Sequence, residues 1–303
     1  MIELLQIFVD NIAPILLIAG IGYIAGRRLN LETNAISALI FNVLSPSLVF
    51  YSLYNSNIGG DEVITLFLGV VFLQLSMLVL TSFVLWLQTS SPGQRANVLL
   101  STVSMNTGNY GLSLVAFAFG DSVLSRAVII FVANSMMNYT LGIYIASHGS
   151  VSAWEALKSV LRTPALYAVI AAFVLRALNM EIPLILSRSV KTLSDAAIPM
   201  LLILLGLQLA RYQPVPRAVN LLSTGVGLRL FISPLIALLL TMFLALTGEA
   251  RIAFIIQASM PTAVITLVLA TEYHLDRNLA LTFIFISTLL SPFTLSVLVA
   301  FLR

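Results

Sequence analysis

The chain has 303 residues, 59% of them hydrophobic and 9% charged, with a mean hydropathy of +1.04. Soluble domains carry about 25% charged residues, so this composition excludes a water-soluble globular protein and points to a polytopic membrane protein. The net charge of +3 comes from scattered basic residues that form no stripe or tail, which excludes a nucleic-acid binder, and zero cysteines exclude disulfides and thiolate metal sites.

Met1 to Asp10 lacks a basic n-region and carries Glu3 and Asp10. The apolar segment after it is therefore expected to stay as a membrane span and not to be removed as a signal peptide. A spanning helix needs roughly 20 mainly apolar residues. Ten segments qualify, at about 11–27, 35–54, 63–87, 96–119, 125–146, 163–179, 192–210, 219–246, 252–272 and 279–302. Charge and turn residues separate them, including Arg27-Arg28, Asn55 to Glu62, Gly120-Asp121, Arg211 to Arg217 and His274 to Arg277. The 180–191 stretch sets Ile182, Leu184, Ile185 and Leu186 against Arg188 and Lys191, and reads as a short interfacial helix.

Segment two contains Ser45-Pro46-Ser47, where the proline forces a kink and frees a carbonyl about one turn earlier. Segment four holds the most unusual stretch, Ser104-Met105-Asn106-Thr107-Gly108-Asn109-Tyr110-Gly111, at the depth where a span is least polar. Gly108 and Gly111 permit close backbone approach, and Asn106, Thr107 and Asn109 bring donors and acceptors together. Segment five carries Asn134 and Asn138 four apart on one helix face, with Ser135 and Tyr139 beside them. They read either as a lined pocket or as a helix–helix contact. Segment seven contains Pro199 and begins near Asp195. Arg229 lies about eleven residues into segment eight and reads as snorkelling to the cytoplasmic interface; otherwise it holds the inner end of a pathway. Segment nine contains Gln257, Ser259, Met260, Pro261 and Thr262, and Pro261 must break or kink it. Ser287, Thr288, Ser291 and Thr294 in segment ten read as hydrogen-bonded to their own helix.

The order of these features repeats. Ser104-Met105-Asn106-Thr107 returns as Ser259-Met260-Pro261-Thr262, Arg28 to Glu32 as Ala177 to Glu181, and Pro46 as Pro199. Five segments per half is an odd number, so residues 1–150 and 151–303 form an inverted repeat. The expected fold is an all-α polytopic membrane protein of ten helices, with helices four and nine broken. The breaks expose backbone groups that hydrocarbon cannot satisfy, so they are expected to line one central cavity. Half-helix N-termini facing it suit an anion. Lys and Arg placement puts both termini outside the cytoplasm. No H-E-x-x-H, G-x-S-x-G, P-loop or paired intramembrane aspartates occur, so the chain is not expected to be an enzyme. No metal site or cofactor is implied, and the coupling ion, H⁺ or Na⁺, is unspecified.

Leu44-Ser45-Pro46-Ser47-Leu48, Asn106 to Leu112, Met260-Pro261-Thr262-Ala263 and the closing runs Ala270 to Tyr273 and Ser287 to Ser291 stand in an order that resembles the auxin efflux carrier family. That family includes plant PIN-type auxin carriers and bacterial malate-permease-like proteins, and the sodium–bile acid symporters share its fold more distantly. The resemblance covers nearly the whole chain. It implies a crossover of helices four and nine, an elevator-like transport domain moving against a scaffold of helices one, two, six and seven, and a homodimer in the cell membrane. It also implies an organic anion near the crossover, with Ser45 or Ser47, Asn106, Asn109, Asn138 and Tyr139 beside it. The symporters' sodium-binding carboxylate has no counterpart in this sequence. The expected function is a secondary or facilitative transporter of a small organic anion, with a ligand-binding membrane sensor or a channel as the alternatives.

Overall fold

The first helix, α1 (Leu5–Arg28), and the next, α2 (Thr33–Tyr54), share a device that their sequences explain. Each contains a π-helical turn, Phe8–Ile12 in α1 and Ile40–Leu44 in α2, ending two residues before Pro14 and Pro46. The residue before each proline donates its N–H five residues back, Ala13 to Phe8 and Ser45 to Ile40. Proline has no N–H and its ring crowds the carbonyl four residues earlier, and the wider turn relieves both problems without ending the helix. Pro46 therefore does not break its span. The same device recurs in α9 (Val219–Phe243), with the turn Leu228–Ile232 before Pro234.

The computed structural model describes residues 2–29, 31–210 and 218–303. Met1, Asn30 of the first repeated motif and the 211–217 connection with Arg211 and Arg217 lie outside the described residues. The remaining helices are α3 (Gly60–Trp86), α4 (Pro92–Val103), α5 (Thr107–Ala146), α6 (Ala153–Leu161), α7 (Pro164–Ala177), α8 (Leu184–Ala210), α10 (Gly248–Ala258), α11 (Ile265–Glu272) and α12 (Arg277–Leu302). Among the described residues no strand occurs, and seven helices are long and apolar enough to cross a membrane: α1, α2, α3, α5, α8, α9 and α12. Gly120 divides α5 into limbs 107–119 and 121–146. Its φ of 77° and ψ of −171° lie where only glycine is unstrained.

Two sequence expectations fail here. Residues 180–191 form no separate interfacial helix, because α8 runs unbroken from Leu184. The short helix with a wet face is α6, begun by a capping box in which Ser152 and Glu155 satisfy each other's backbone N–H. Pro199 does not break α8 either. α8 carries it inside one continuous helix, with the ring on the exposed face and one backbone hydrogen bond forgone.

α1, α2, α7 and α8 pack on one another, and α3, α4, α5, α9, α10, α11 and α12 form a second packed set. The α1–α8 contact is backbone against backbone. Gly22 and Gly26 of α1 face Gly206 and Ala210 of α8, and a Cβ added at Gly206 would lie 1.9 Å from the Ala19 carbonyl oxygen. In lipid, such small residues let helices approach closely enough for dispersion to hold them.

At one end of the second set, Arg126 joins three helix starts. Its Nε lies 2.5 Å from Glu62 of α3 and its Nη1 2.8 Å from Glu249 of α10. These groups are partly exposed, so the network is worth about 1 kcal/mol. Arg126→Met is expected to lower the unfolding midpoint by roughly 2–4 °C, with the difference shrinking as salt is added. Thermal denaturation at low and high ionic strength checks this.

Candidate functional site

α4 begins with Pro92 in its first turn and a Ser91–Gln94 capping box, and it stops at Val103 because Ser104 turns extended (φ −84°, ψ 114°). The chain re-enters helix at Thr107. In the second half α10 stops at Ala258, the chain passes through Pro261, and α11 starts at Ile265. The two breaks meet. The Asn106 N–H donates to the Pro261 carbonyl at 2.9 Å, and the Ala263 N–H donates to the Ser104 carbonyl at 3.0 Å. Met105 and Thr262 thereby form one antiparallel bridge. Each break supplies what the other lacks, which is how interrupted backbone persists away from water.

A ring of buried side chains braces the bridge. Asn134 Nδ2 donates to the Met105 carbonyl at 3.0 Å and to Thr107 Oγ1 at 2.9 Å, and Asn134 Oδ1 accepts from Gln74 of α3 at 2.8 Å. The Thr262 hydroxyl donates to the Ser101 carbonyl at 2.9 Å, and its N–H donates to Ser287 Oγ at 3.1 Å. Asn109 Nδ2 donates to Gln208 of α8 at 3.2 Å, tying the crossing to the first packed set. Gly111 and Gly108 are spacing requirements. A Cβ at Gly111 would lie 2.1 Å from Gln257 Oε1, and one at Gly108 would lie 2.9 Å from the Phe131 ring.

The predicted site residues thus divide by what they touch. Thr107, Thr262 and Asn134 spend their polar atoms on the crossing itself. Ser259 donates to the Ile255 carbonyl in its own helix, and the Gln257 amide reaches the Ala127 carbonyl at 3.5 Å. Asn106 and Asn109 are each only 4% exposed, and Asn106 Nδ2 has no partner. Ser104 Oγ, Ser101 Oγ and Gln257 Oε1 are also buried and unpartnered near the bridge. Unpaired polar atoms at this depth mark a place for a polar ligand or water. Ser45 Oγ and Asn138 Oδ1 are unpartnered too, but among the described residues no hydrogen bond joins them, Ser47 or Tyr139 to the bridge. Ser47 donates to the Val43 carbonyl of its own helix. The turn holding Asn138 meets both broken helices through Gly142, where a Cβ would be 3.2 Å from Leu269 and 4.0 Å from Leu100. In α12, Ser291 and Thr294 bond to their own helix as expected, Ser287 also accepts from the bridge, and the Thr288 hydroxyl, expected to bond to its own helix, is buried without a partner.

Arg229 corrects the sequence expectation most clearly. It does not snorkel. It is 0% exposed, and its Nη1 donates to the Thr102 carbonyl at 2.8 Å while Nη2 donates to the Ala258 carbonyl and Ser233 Oγ. The π-turn before Pro234 sets Arg229 and Ser233 on the same face, aimed at the ends of α4 and α10. Hydropathy could not reveal this, because the charge is balanced by backbone carbonyls from distant helices. Gln74 and Gln208 escaped the sequence reading as well. Their signal was an amide inside an otherwise apolar run, the same signal that marked Asn134.

Two interrupted helices bonded through their breaks, inside a bundle of apolar helices, define a polytopic membrane protein built around a helix crossover. A family profile described as membrane transport protein matches residues 7–153 and 150–299. The chain belongs to this family of membrane transporters, to which the auxin efflux carriers are related. It is 28% identical over 287 residues to an uncharacterised transporter of Methanothermobacter thermautotrophicus, covering 93% of this chain and 94% of that one. An uncharacterised transporter of Methanocaldococcus jannaschii is 25% identical over 300 residues, with the same coverage of 93% and 94%. A probable auxin efflux carrier component 1b of Oryza sativa subsp. japonica is 28% identical over 151 residues, which is 48% of this chain and 27% of that protein. The expected family is therefore borne out, and the protein is a multi-pass membrane transporter.

Proposed function

We propose that the protein carries a small organic anion, a carboxylate, by alternating access around the crossover of α4 and α5 with α10 and α11. The observation that carries this reading is the Met105–Thr262 bridge with the unpartnered Asn106 amide beside it. The 107–119 limb and α11 both begin at the crossing, and helix N-termini carry partial positive charge. No Asp or Glu is buried among the described residues, so no carboxylate there repels an anion.

The architecture we infer has ten spans. They are α1, α2, α3, α4 with the 107–119 limb, the 121–146 limb, α7, α8, α9, α10 with α11, and α12. Residues 1–150 and 151–303 are then two inverted five-span repeats. Two contacts support the alternation. Arg126 gathers the starts of α3, the 121–146 limb and α10, and Gln88, just past the end of α3, reaches Thr224 near the start of α9 at 2.9 Å. In this reading α1, α2, α7 and α8 are the scaffold, the second packed set is the moving elevator domain, and both termini are extracytoplasmic. The scaffold pairs two protomers in the cell membrane. The Asn109–Gln208 bond crosses between the two sets and must break when one slides on the other.

Purified protein in liposomes is expected to catalyse counterflow of a labelled mono- or dicarboxylate. Asn106→Ala and Asn109→Ala are each expected to cut that flux at least ~10-fold, the cost of about one buried hydrogen bond to a charged group, while folded protein remains in the membrane. Wild-type flux in both variants overturns the site assignment. Binding of a carboxylate without any counterflow would mark a ligand-binding sensor, and conduction that does not saturate would mark a channel.

A further inference from the structure

Arg229 is the one fully buried cation among the described residues, and its surroundings contain no carboxylate. The three ion pairs in the described structure involve Arg126 and Lys191 only, and no acidic residue is buried. A lone guanidinium at 0% exposure is costly unless something of opposite sign faces it. What faces it is two helix ends. Thr102 lies in the last turn of α4 and Ala258 is the last residue of α10, so both accepting carbonyls belong to C-termini that have no next turn to bond. Each helix C-terminus carries about −0.5 charge, and two together come to about −1. The guanidinium's +1 balances both. Ser233 joins the cage by donating to the same Ala258 carbonyl at 2.8 Å, while the Arg229 Nε is left without a partner.

Paired half-helix C-termini with unwound carbonyls between them are the chemistry that coordinates a monovalent metal cation in secondary transporters. We propose that Arg229 is a built-in cation that occupies this position, so that the crossover binds no Na⁺ and the substrate anion moves without a co-transported metal ion. Arg229 is a positioning residue in this scheme. It holds two half-helix ends at one point, and its fixed charge does the work that a bound ion would otherwise do at each cycle. The consequence for flux rests on the transporter reading above, but the occupancy of the carbonyl cage by Arg229 does not.

The test needs no substrate. Full-length protein in lipid nanodiscs is unfolded thermally across a Na⁺ titration at constant ionic strength, with choline as the replacing ion. The wild-type midpoint is expected to stay flat. Arg229→Ala is expected to lower the midpoint by about 10 °C, and either Na⁺ or low concentrations of free guanidinium should restore part of that loss. Arg229→Lys, which keeps a charge but not the fork, should fall between the two and remain insensitive to Na⁺. A wild-type midpoint that climbs with Na⁺ overturns the proposal. So does an Arg229→Ala midpoint equal to wild type, or one that neither cation raises. Should Arg229→Ala yield no folded protein, the wild-type and Arg229→Lys titrations decide, and stabilisation of either by Na⁺ rejects the built-in cation. Carboxylate flux that is absent under every condition would count against the transport reading while leaving these titrations intact.

Discussion

Gly206→Ala is expected to leave almost no folded protein in the membrane. The added methyl would sit 1.9 Å from the Ala19 carbonyl oxygen, 2.6 Å from the Tyr23 nitrogen and 2.8 Å from the Gly22 carbonyl carbon. All three are backbone atoms of α1, so no rotamer change can make room. The helices would have to separate, and the contact of Gly22 with the Ile203 carbonyl, where a Cβ would fall at 2.3 Å, would open with them. Between membrane helices the attraction is close packing, which falls steeply with distance. A cost of about 3 kcal/mol or more follows, a large share of any domain's stability. Gly20→Ala is the control, since nothing lies within 4 Å of a Cβ there. It should be neutral or gain up to ~1 kcal/mol from helix propensity. Yield of monodisperse protein and the thermal midpoint of both variants check this. A wild-type midpoint for Gly206→Ala would show that α1 and α8 are not in backbone contact.

Asn134→Leu is expected to abolish transport and lower stability by about 3 kcal/mol. The substitution strips partners from three buried groups at once: the Met105 carbonyl, Thr107 Oγ1 and the Gln74 amide. Each buried polar group left unpaired costs about 1–3 kcal/mol, partly recovered if water enters. The Met105 carbonyl belongs to the bridge, so its loss of support loosens the crossing and not only a side-chain contact. Ser135→Ala, one residue on, should be nearly silent, because Ser135 donates only to the Phe131 carbonyl of its own helix at 2.8 Å. Comparing counterflow of the proposed carboxylate substrate and unfolding midpoints for the two variants separates a role of Asn134 in the crossing from a general intolerance of this helix. Equal behaviour of the two would remove Asn134 from the site.

Much of the crossing was legible in the chain. Asn106 to Gly111 and Ser259 to Ala263 stood out because asparagine, glycine and proline interrupt apolar runs where a helix needs its own hydrogen bonds. Gly120-Asp121 was legible as a turn for a similar reason, and only glycine takes the backbone angles found there. Two further features are written in the chain as local patterns. Gly22-Tyr23-Ile24-Ala25-Gly26 is a G-x-x-x-G pattern, and Gly206 to Ala210 answers it on α8. Ser152-Ala153-Trp154-Glu155 is a capping box that would have put the short wet helix at 153–161 and not at 180–191.

The sequence by itself determined that the chain lives in a bilayer, which segments are helical and where two of those helices fail. These are local properties, set by hydropathy and by backbone chemistry within one turn. Only the tertiary structure decided what satisfies the failures. The Asn106 N–H finds the Pro261 carbonyl, Asn134 braces Met105, and Arg229 turns inward to two carbonyl ends although its own helix gives it a route to the interface. Those choices rest on dipoles and carbonyls that exist only once α4, α9 and α10 have met, and no residue type in the chain encodes them alone.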